Sequence, residues 1–165
     1  MEFFELLKQI VKAEIRFVVV GGIAVNLHGI ERPTKDIDLV VYLEEKNLLK
    51  FLKLMAKLDF QPKVPVGATE FADPKKRADW IKNKNMIVFS FCHSRDMMRV
   101  IDVFVKHPLP FGPMYRRKEM IVVDDIKIPV ISILDLIKLK QKARRAQDRA
   151  DIVMLQKVLR TRKEL

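Results

Sequence analysis

Cysteine is nearly absent. Cys92 is the one thiol in 165 residues, so no internal disulfide can form and a reducing cytoplasm is the expected setting. Long apolar runs are missing as well: the longest, Phe17 to Leu27, is cut by Gly21, Gly22 and Asn26 and is too short for a bilayer, which argues against a membrane protein. The opening MEFFELLKQ carries acids where a signal peptide would carry bases, so secretion is not expected. The histidines and the cysteine show no zinc-ligand spacing, and there is no P-loop, internal repeat or low-complexity tract. Acids are the minority charge, 21 against 32 Lys and Arg, for a formal net charge of +11. That balance attracts polyanions at long range and leaves nucleic acid, nucleotides or an acidic protein as candidate partners.

With 49% hydrophobic and 32% charged residues, the composition is that of a folded globular chain. The length fits a single domain over 1–165, with a core of about 16–130 and C-terminal helices over about 132–162. Phe3, Phe4, Leu7, Ile10 and Val11 predict a packing helix over 2–14, and Leu48, Phe51, Leu52, Met55 and Leu58 predict another over 44–58. Phe17 to Val20 and Ile37 to Val41 read as strands covered on both faces. Met86 to Cys92 and Arg99 to Val105 read as neighbouring strands, and Met120 to Val123 with Ile126 to Ile128 as a hairpin around Asp124-Asp125. Residues 60–85 are broken by Pro62, Pro65, Gly67 and Pro74 and read as loop with a short helix, an acceptor-facing insertion. Pro108, Pro110 and Pro113 mark a turn-rich passage. Ser132 and Asp135 resemble a capping box that starts a helix to about Arg145, followed by a last helix over about 148–161. The class is α/β or α+β, with a mixed sheet flanked by helices and closed by a helical pair.

Chemistry gathers in FVVVGGIAVNLHGIERPTKDIDLVVY, residues 17–42. Gly21-Gly22 ends an apolar run and permits close approach of a phosphate, while Gly29 supplies the left-handed end of a short helix. Asp36 and Asp38 stand two apart and project from one side of a strand, where they repel each other unless a cation lies between them. A third aspartate, Asp102, sits inside the apolar run RVIDVFV and needs a partner, because an ionised carboxylate buried alone costs several kcal/mol. That partner is either Arg99 in a structural ion pair or a divalent metal shared with Asp36 and Asp38.

Gly21-Gly22, then Asp36-x-Asp38 on the next strand, then a lone strand Asp102, resemble the active-site pattern of the nucleotidyltransferase superfamily that includes DNA polymerase β. Within it, GGIAVNLHGIERPTKDIDLVV followed late by LIKLKQKARRAQDRADI resembles the branch of minimal nucleotidyltransferases and abortive-infection (type IV) toxins. The resemblance spans about residues 16–155, without residues 60–85. It implies that Asp36, Asp38 and Asp102 hold two Mg²⁺ ions, with Mn²⁺ an alternative, and that Asp102 takes the proton of the attacking hydroxyl. Gly21 and Gly22 would meet a nucleoside triphosphate, and a nucleoside monophosphate would pass to an RNA end, tRNA-like, or to a hydroxyl on a partner protein, releasing pyrophosphate. A non-catalytic relative that holds nucleotide or RNA as a toxin–antitoxin or regulatory partner is the alternative, and a homodimer is compatible with either. One position departs from the pattern: Ile23 stands where many members carry a serine.

Arg32 and Thr34 occupy the loop before the aspartates, as either a solvated turn or a phosphate contact through the Arg32 fork. Lys140 falls on the packed line Ile133, Ile137, Lys140, Arg144 and needs an anion there, either Asp148 or Asp151 or a nucleotide phosphate. If the segment is helical throughout, Lys138, Lys142, Arg145 and Arg149 align as a basic stripe. Arg145 and Asp148 fall where the toxin-like branch has an Arg and an Asp, and would hold the last two helices together.

Overall fold

The computed structural model describes residues 3–165. Two strands buried almost throughout form the centre of the sheet, and their residue types explain why. Strand β1 (Phe17–Val20) is buried along its whole length, as β-branched residues between two covered faces should be. It runs antiparallel to β2 (Ile37–Val41), with Val20 opposite Asp38. Strand β3 (Phe60–Pro62) pairs with β4 (Val88–His93), which pairs with β5 (Asp96–Phe104), all antiparallel. Strand β5 then lies parallel to β2, with Asp38 opposite Asp102. On the other side β1 runs parallel to β7 (Ile126–Val130), which forms a hairpin with β6 (Glu119–Val123). The seven-stranded mixed sheet has the order β3-β4-β5-β2-β1-β7-β6.

Helix α1 (Phe3–Lys12) packs on β7 and buries Leu6, Leu7 and Ile10; Glu2, the first residue of the expected helix, lies outside the described residues. Helix α2 (Gly21–Leu27) follows β1 without an intervening loop. It ends at His28, whose Nε2 lies 2.7 Å from the Ile131 carbonyl oxygen, and at Gly29 with φ +93°. Helix α3 (Glu45–Lys57) is capped by the Glu44 carboxylate. Its buried Asn47 donates to the carbonyls of Arg16 and Tyr42 and accepts from the Arg16 amide, tying the start of β1 to the end of β2.

Residues 60–85 are more regular than their prolines predict. They hold β3, a 3-10 helix (Ala68–Ala72) and α4 (Pro74–Lys84). Pro74 occupies the first turn of α4, where its missing N–H has no intrahelical partner to lose, and the Asp73 carboxylate caps it. The segment is held by aromatics rather than by a helical stripe: Phe71 and Trp80 lie 5.1 and 5.2 Å, centroid to centroid, from Phe89 of β4. The turn-rich passage likewise contains α5 (Phe111–Arg117), with Pro113 in its first turn.

Helix α6 (Ile133–Ala143) begins where Ser132 Oγ accepts from the Asp135 amide at 3.2 Å. The reciprocal half of the expected capping box is not made. Asp135, fully buried, instead takes the fork of Arg117 at 2.9 and 3.0 Å. Removing Arg117 would strand that carboxylate with only Lys138 at 3.7 Å. Arg117→Ala is therefore expected to lower unfolding free energy by about 2–4 kcal/mol, discounted for the half-exposed guanidinium; urea unfolding that shows a loss below ~1 kcal/mol would remove the pair from the fold's supports. Arg144 adopts φ +57° and ends α6, and α7 (Ala146–Glu164) starts afresh. The basic stripe expected from an unbroken helix is thus divided between two helices. Among the described residues no helix is long and apolar enough to cross a membrane.

Candidate active site

Two adjacent parallel strands place Asp38 and Asp102 side by side. Asp36 precedes β2 by one residue, and all three carboxylates line one cleft of about 400 Å³. Gly21, Gly22, Arg32, Thr34 and Lys140 line the same cleft, together with Lys35, Arg145 and Asp148. Every site residue read from the sequence is therefore brought to one place. Ile23, by contrast, is buried in the core.

Gly21 has φ +66°, and a Cβ built there would lie 2.1 Å from Asp38 Oδ2. Glycine at this position is what lets the Asp38 carboxyl stand against the end of β1. A Cβ on Gly22 would lie 2.6 Å from Thr34 Oγ1 and 3.3 Å from Arg32 Cζ, so the loop before β2 folds down over the second glycine. Thr34 thereby sets a hydroxyl beside Gly22.

The carboxylates feel one another. Burial, then repulsion from Asp102 and Asp36, pushes the Asp38 carboxyl up to about 7. Asp36 is also raised, by burial and by Asp102, against the pull of Lys63 and Lys35. Asp102 has a neighbour that sequence reasoning missed: Ser90 on β4 stands directly across from it and donates its hydroxyl to Asp102 Oδ1. A serine amid Val88, Phe89, Phe91 and Cys92 is the only trace in the sequence, and its meaning depends on the register. Arg99 pairs with Asp96 at 3.4 Å, so the Arg99–Asp102 pair, one of the two partners considered for Asp102, is not formed.

Beyond the carboxylates lies a second charged layer. Buried Lys140 reaches Asp151 at 2.8 Å and Asp148 at 3.4 Å. Asp151 also pairs with Arg32, and Asp148 with Arg145 at 2.9 Å. Burial alone would raise both aspartates, but these cations hold them below the usual carboxylate range. The network fastens α7 to α6 and to the loop before β2, and leaves Arg32, Lys140 and Arg145 on the cleft wall.

Among the described residues, no three His, Cys, Asp or Glu side chains are gathered closely enough to grip an ion as they stand. The donor chemistry nonetheless suits one. Three hard oxygen ligands share the cleft, and the two raised carboxyls carry a repulsion that a divalent cation would cancel.

A family model described as "Nucleotidyl transferase of unknown function (DUF2204)" matches residues 1–165. The chain belongs to this nucleotidyl transferase family. Several solved structures share the fold. The lincosamide antibiotic adenylyltransferase LnuA, with lincomycin bound, shares 16% identity over 94% of each chain, with a TM-score of 0.63. A nucleotidyltransferase-like antigen of Paracoccidioides brasiliensis shares 18% over 92% of this chain and 72% of its own, TM-score 0.53. The antibiotic-resistance factor ANT(2'')-Ia shares 12% over 97% and 92%, TM-score 0.51. At these identities the likeness is one of fold. No curated protein matches the chain in sequence.

Proposed function

We propose that this nucleotidyl transferase moves a nucleoside monophosphate from a nucleoside triphosphate to an acceptor hydroxyl and releases pyrophosphate. The observation that carries the reading is the register of β2 against β5, which sets Asp38 beside Asp102 in a cleft walled by Arg32, Lys140 and Arg145. Asp36, Asp38 and Asp102 would hold divalent ions, Mg²⁺ first, whose contribution is to neutralise phosphate charge and acidify the acceptor hydroxyl. Arg32 and Lys140 would bind the triphosphate, with Gly21, Gly22 and the Thr34 hydroxyl forming the wall beside it. Since Ser90 occupies Asp102 Oδ1, Oδ2 is left to accept the acceptor's proton. As the acceptor oxygen bonds the α-phosphorus, the bond to the β-phosphate oxygen breaks and pyrophosphate carries off the electron pair.

Exposed Lys138, Lys142, Arg144, Arg145 and Arg149 surround the junction of α6 and α7 beside the cleft, which supports an RNA acceptor with its phosphate backbone over a protein hydroxyl. LnuA's bound lincomycin makes that antibiotic a further acceptor to include in the test. The buried Ile23, which brings no hydroxyl to the cleft, favours the second reading, a nucleotide-binding relative without turnover.

The protein is incubated with Mg²⁺, each labelled nucleoside triphosphate, and separate pools of tRNA, protein and lincomycin. Pyrophosphate release and label on one pool, both lost in Asp102→Asn, are expected. Nucleotide binding by calorimetry with no release above the Asp102→Asn background would establish the second reading instead.

A further inference from the structure

The two edges of the sheet are built differently. At one edge β3 is three residues long and ends in Pro62, which can donate no ladder hydrogen bond; short length and proline are standard protections against pairing. At the other edge β6 runs five residues, Glu119 to Val123, with no proline or lysine inside it. Two of its residues, Met120 and Val122, are 47% and 62% exposed.

The β6–β7 hairpin turns through Asp124-Asp125 and closes on Val123 opposite Ile126. Hydrogen-bonded and non-hydrogen-bonded pairs alternate along an antiparallel ladder, and a two-residue turn closes on a bonded pair. Glu119, Ile121 and Val123 therefore spend their backbone groups inward on β7, and the N–H and C=O of Met120 and Val122 point out of the edge. Those outward groups enter none of the turn, loop or cap hydrogen bonds found among the described residues.

We propose that this edge is a self-association surface, on which β6 of one copy pairs antiparallel with β6 of a second copy across a two-fold axis centred at Ile121. The strand is complementary to itself in that register and needs no other partner. Each Met120 would exchange two backbone hydrogen bonds with the other copy's Val122, so that every outward group is satisfied. The same pairing stacks the four exposed side chains into one apolar cross-strand cluster. It also sets Lys118 opposite Asp124 of the other copy, twice over, with opposite charges facing. Shifting the axis to Met120 or Val122 keeps the backbone parity but loses that charge match. Lys118 Nζ already donates to the Tyr115 carbonyl at 3.2 Å, and an ammonium has two further protons to offer. Arg117 and Asp125 are engaged within their own chain, by Asp135 and Lys8, and are not needed for the pairing.

Sedimentation equilibrium of the full chain over a wide concentration range tests this. The parent is expected to show a dimer mass at high concentration. Val122→Lys, at an exposed position, is expected to give a monomer whose thermal midpoint matches the parent's at dilutions where the parent is itself monomeric. Lys118→Asp should weaken the dimer roughly tenfold, two symmetric pairs being lost at once, and adding Asp124→Lys should restore it. A parent that stays monomeric at every concentration overturns the proposal. So does a dimer that survives Val122→Lys, or one indifferent to both the charge reversal and its repair, since each would place the contact elsewhere. None of these readouts depends on catalysis.

Discussion

Asp38→Asn is expected to abolish nucleotidyl transfer and, in metal-free buffer above neutral pH, to make the protein more stable than its parent. The first half follows from the site. Asp38 stands opposite Asp102 on the neighbouring strand and two residues from Asp36, and losing its charge should lower kcat/KM by at least about a thousandfold, or ~4 kcal/mol on the barrier. The second half follows from the same charge being unwelcome in the fold. The Asp38 carboxyl ordinarily titrates at 3.8 and is pushed up to about 7 by burial and by Asp102 and Asp36.

A folded pKa above the unfolded one means that the native state holds a proton the unfolded chain has released. At pH 8 Asp38 is ionised in both states and its repulsion weighs fully on the fold. As pH falls from about 7 toward 4, the native carboxyl takes up its proton and stability rises, by a total on the order of 2–4 kcal/mol. His28 and His107 oppose this. Burial lowers both below their usual 6.5, so the native state resists their protonation and loses stability as pH falls below that value. The informative quantity is therefore the difference between parent and variant, in which the histidines cancel. Urea unfolding in chelator at pH 8 and pH 5 should show Asp38→Asn ahead at pH 8 and the gap closing at pH 5. A variant that is less stable than the parent at pH 8, or that still transfers nucleotide, would refute the placement of three mutually repelling carboxyls. Stability gained where activity is lost is the usual mark of a site held against its own electrostatics.

Gly21→Ala is expected to be nearly as damaging to activity while moving stability the other way. The backbone there has φ +66°, which costs a residue with a Cβ about 1–2 kcal/mol. The added methyl would also fall 2.1 Å from Asp38 Oδ2 and 2.8 Å from Asp38 Cβ, so either β2 or the glycine turn must shift. A loss of about 2–4 kcal/mol together with at least a hundredfold drop in kcat/KM is expected, because an ångström-scale displacement of a catalytic group is enough for that. Gly29→Ala is the control. Gly29 also has a positive φ, +93°, but a Cβ there meets nothing within 4 Å. It should show the backbone penalty alone and keep its activity. Should the two variants prove alike in both stability and rate, Gly21 would have no special bearing on Asp38.

Much of this site was written locally. The double glycine, the Asp-x-Asp pair and the aspartate among apolar residues each announce themselves within a few positions, because strand alternation and backbone freedom are short-range properties. The charge on the packed face of α6 was equally legible, since Lys140 breaks a helical line. Its partner was not. That Asp151 binds both Lys140 and Arg32 across 11 and 119 residues depends on how α7 returns over the cleft after Arg144 breaks the helix. The 60–85 region was misread for a related reason. Its prolines look like breakers along the chain, and only the packing of Phe71 and Trp80 on β4 shows them starting and bounding ordered elements.

By itself, then, the amino-acid order determined six of the seven strands, β3 being the exception, most of the helices, the mixed α/β class and the residue types gathered at the cleft, because hydrophobic periodicity and turn chemistry act between near neighbours. Tertiary structure alone decided the pairing register that sets Asp38 beside Asp102 and Ser90 across from it, and which cations answer which aspartates. Register is a bargain among strands far apart in the chain, settled by the burial of whole faces at once, and no local pattern carries it.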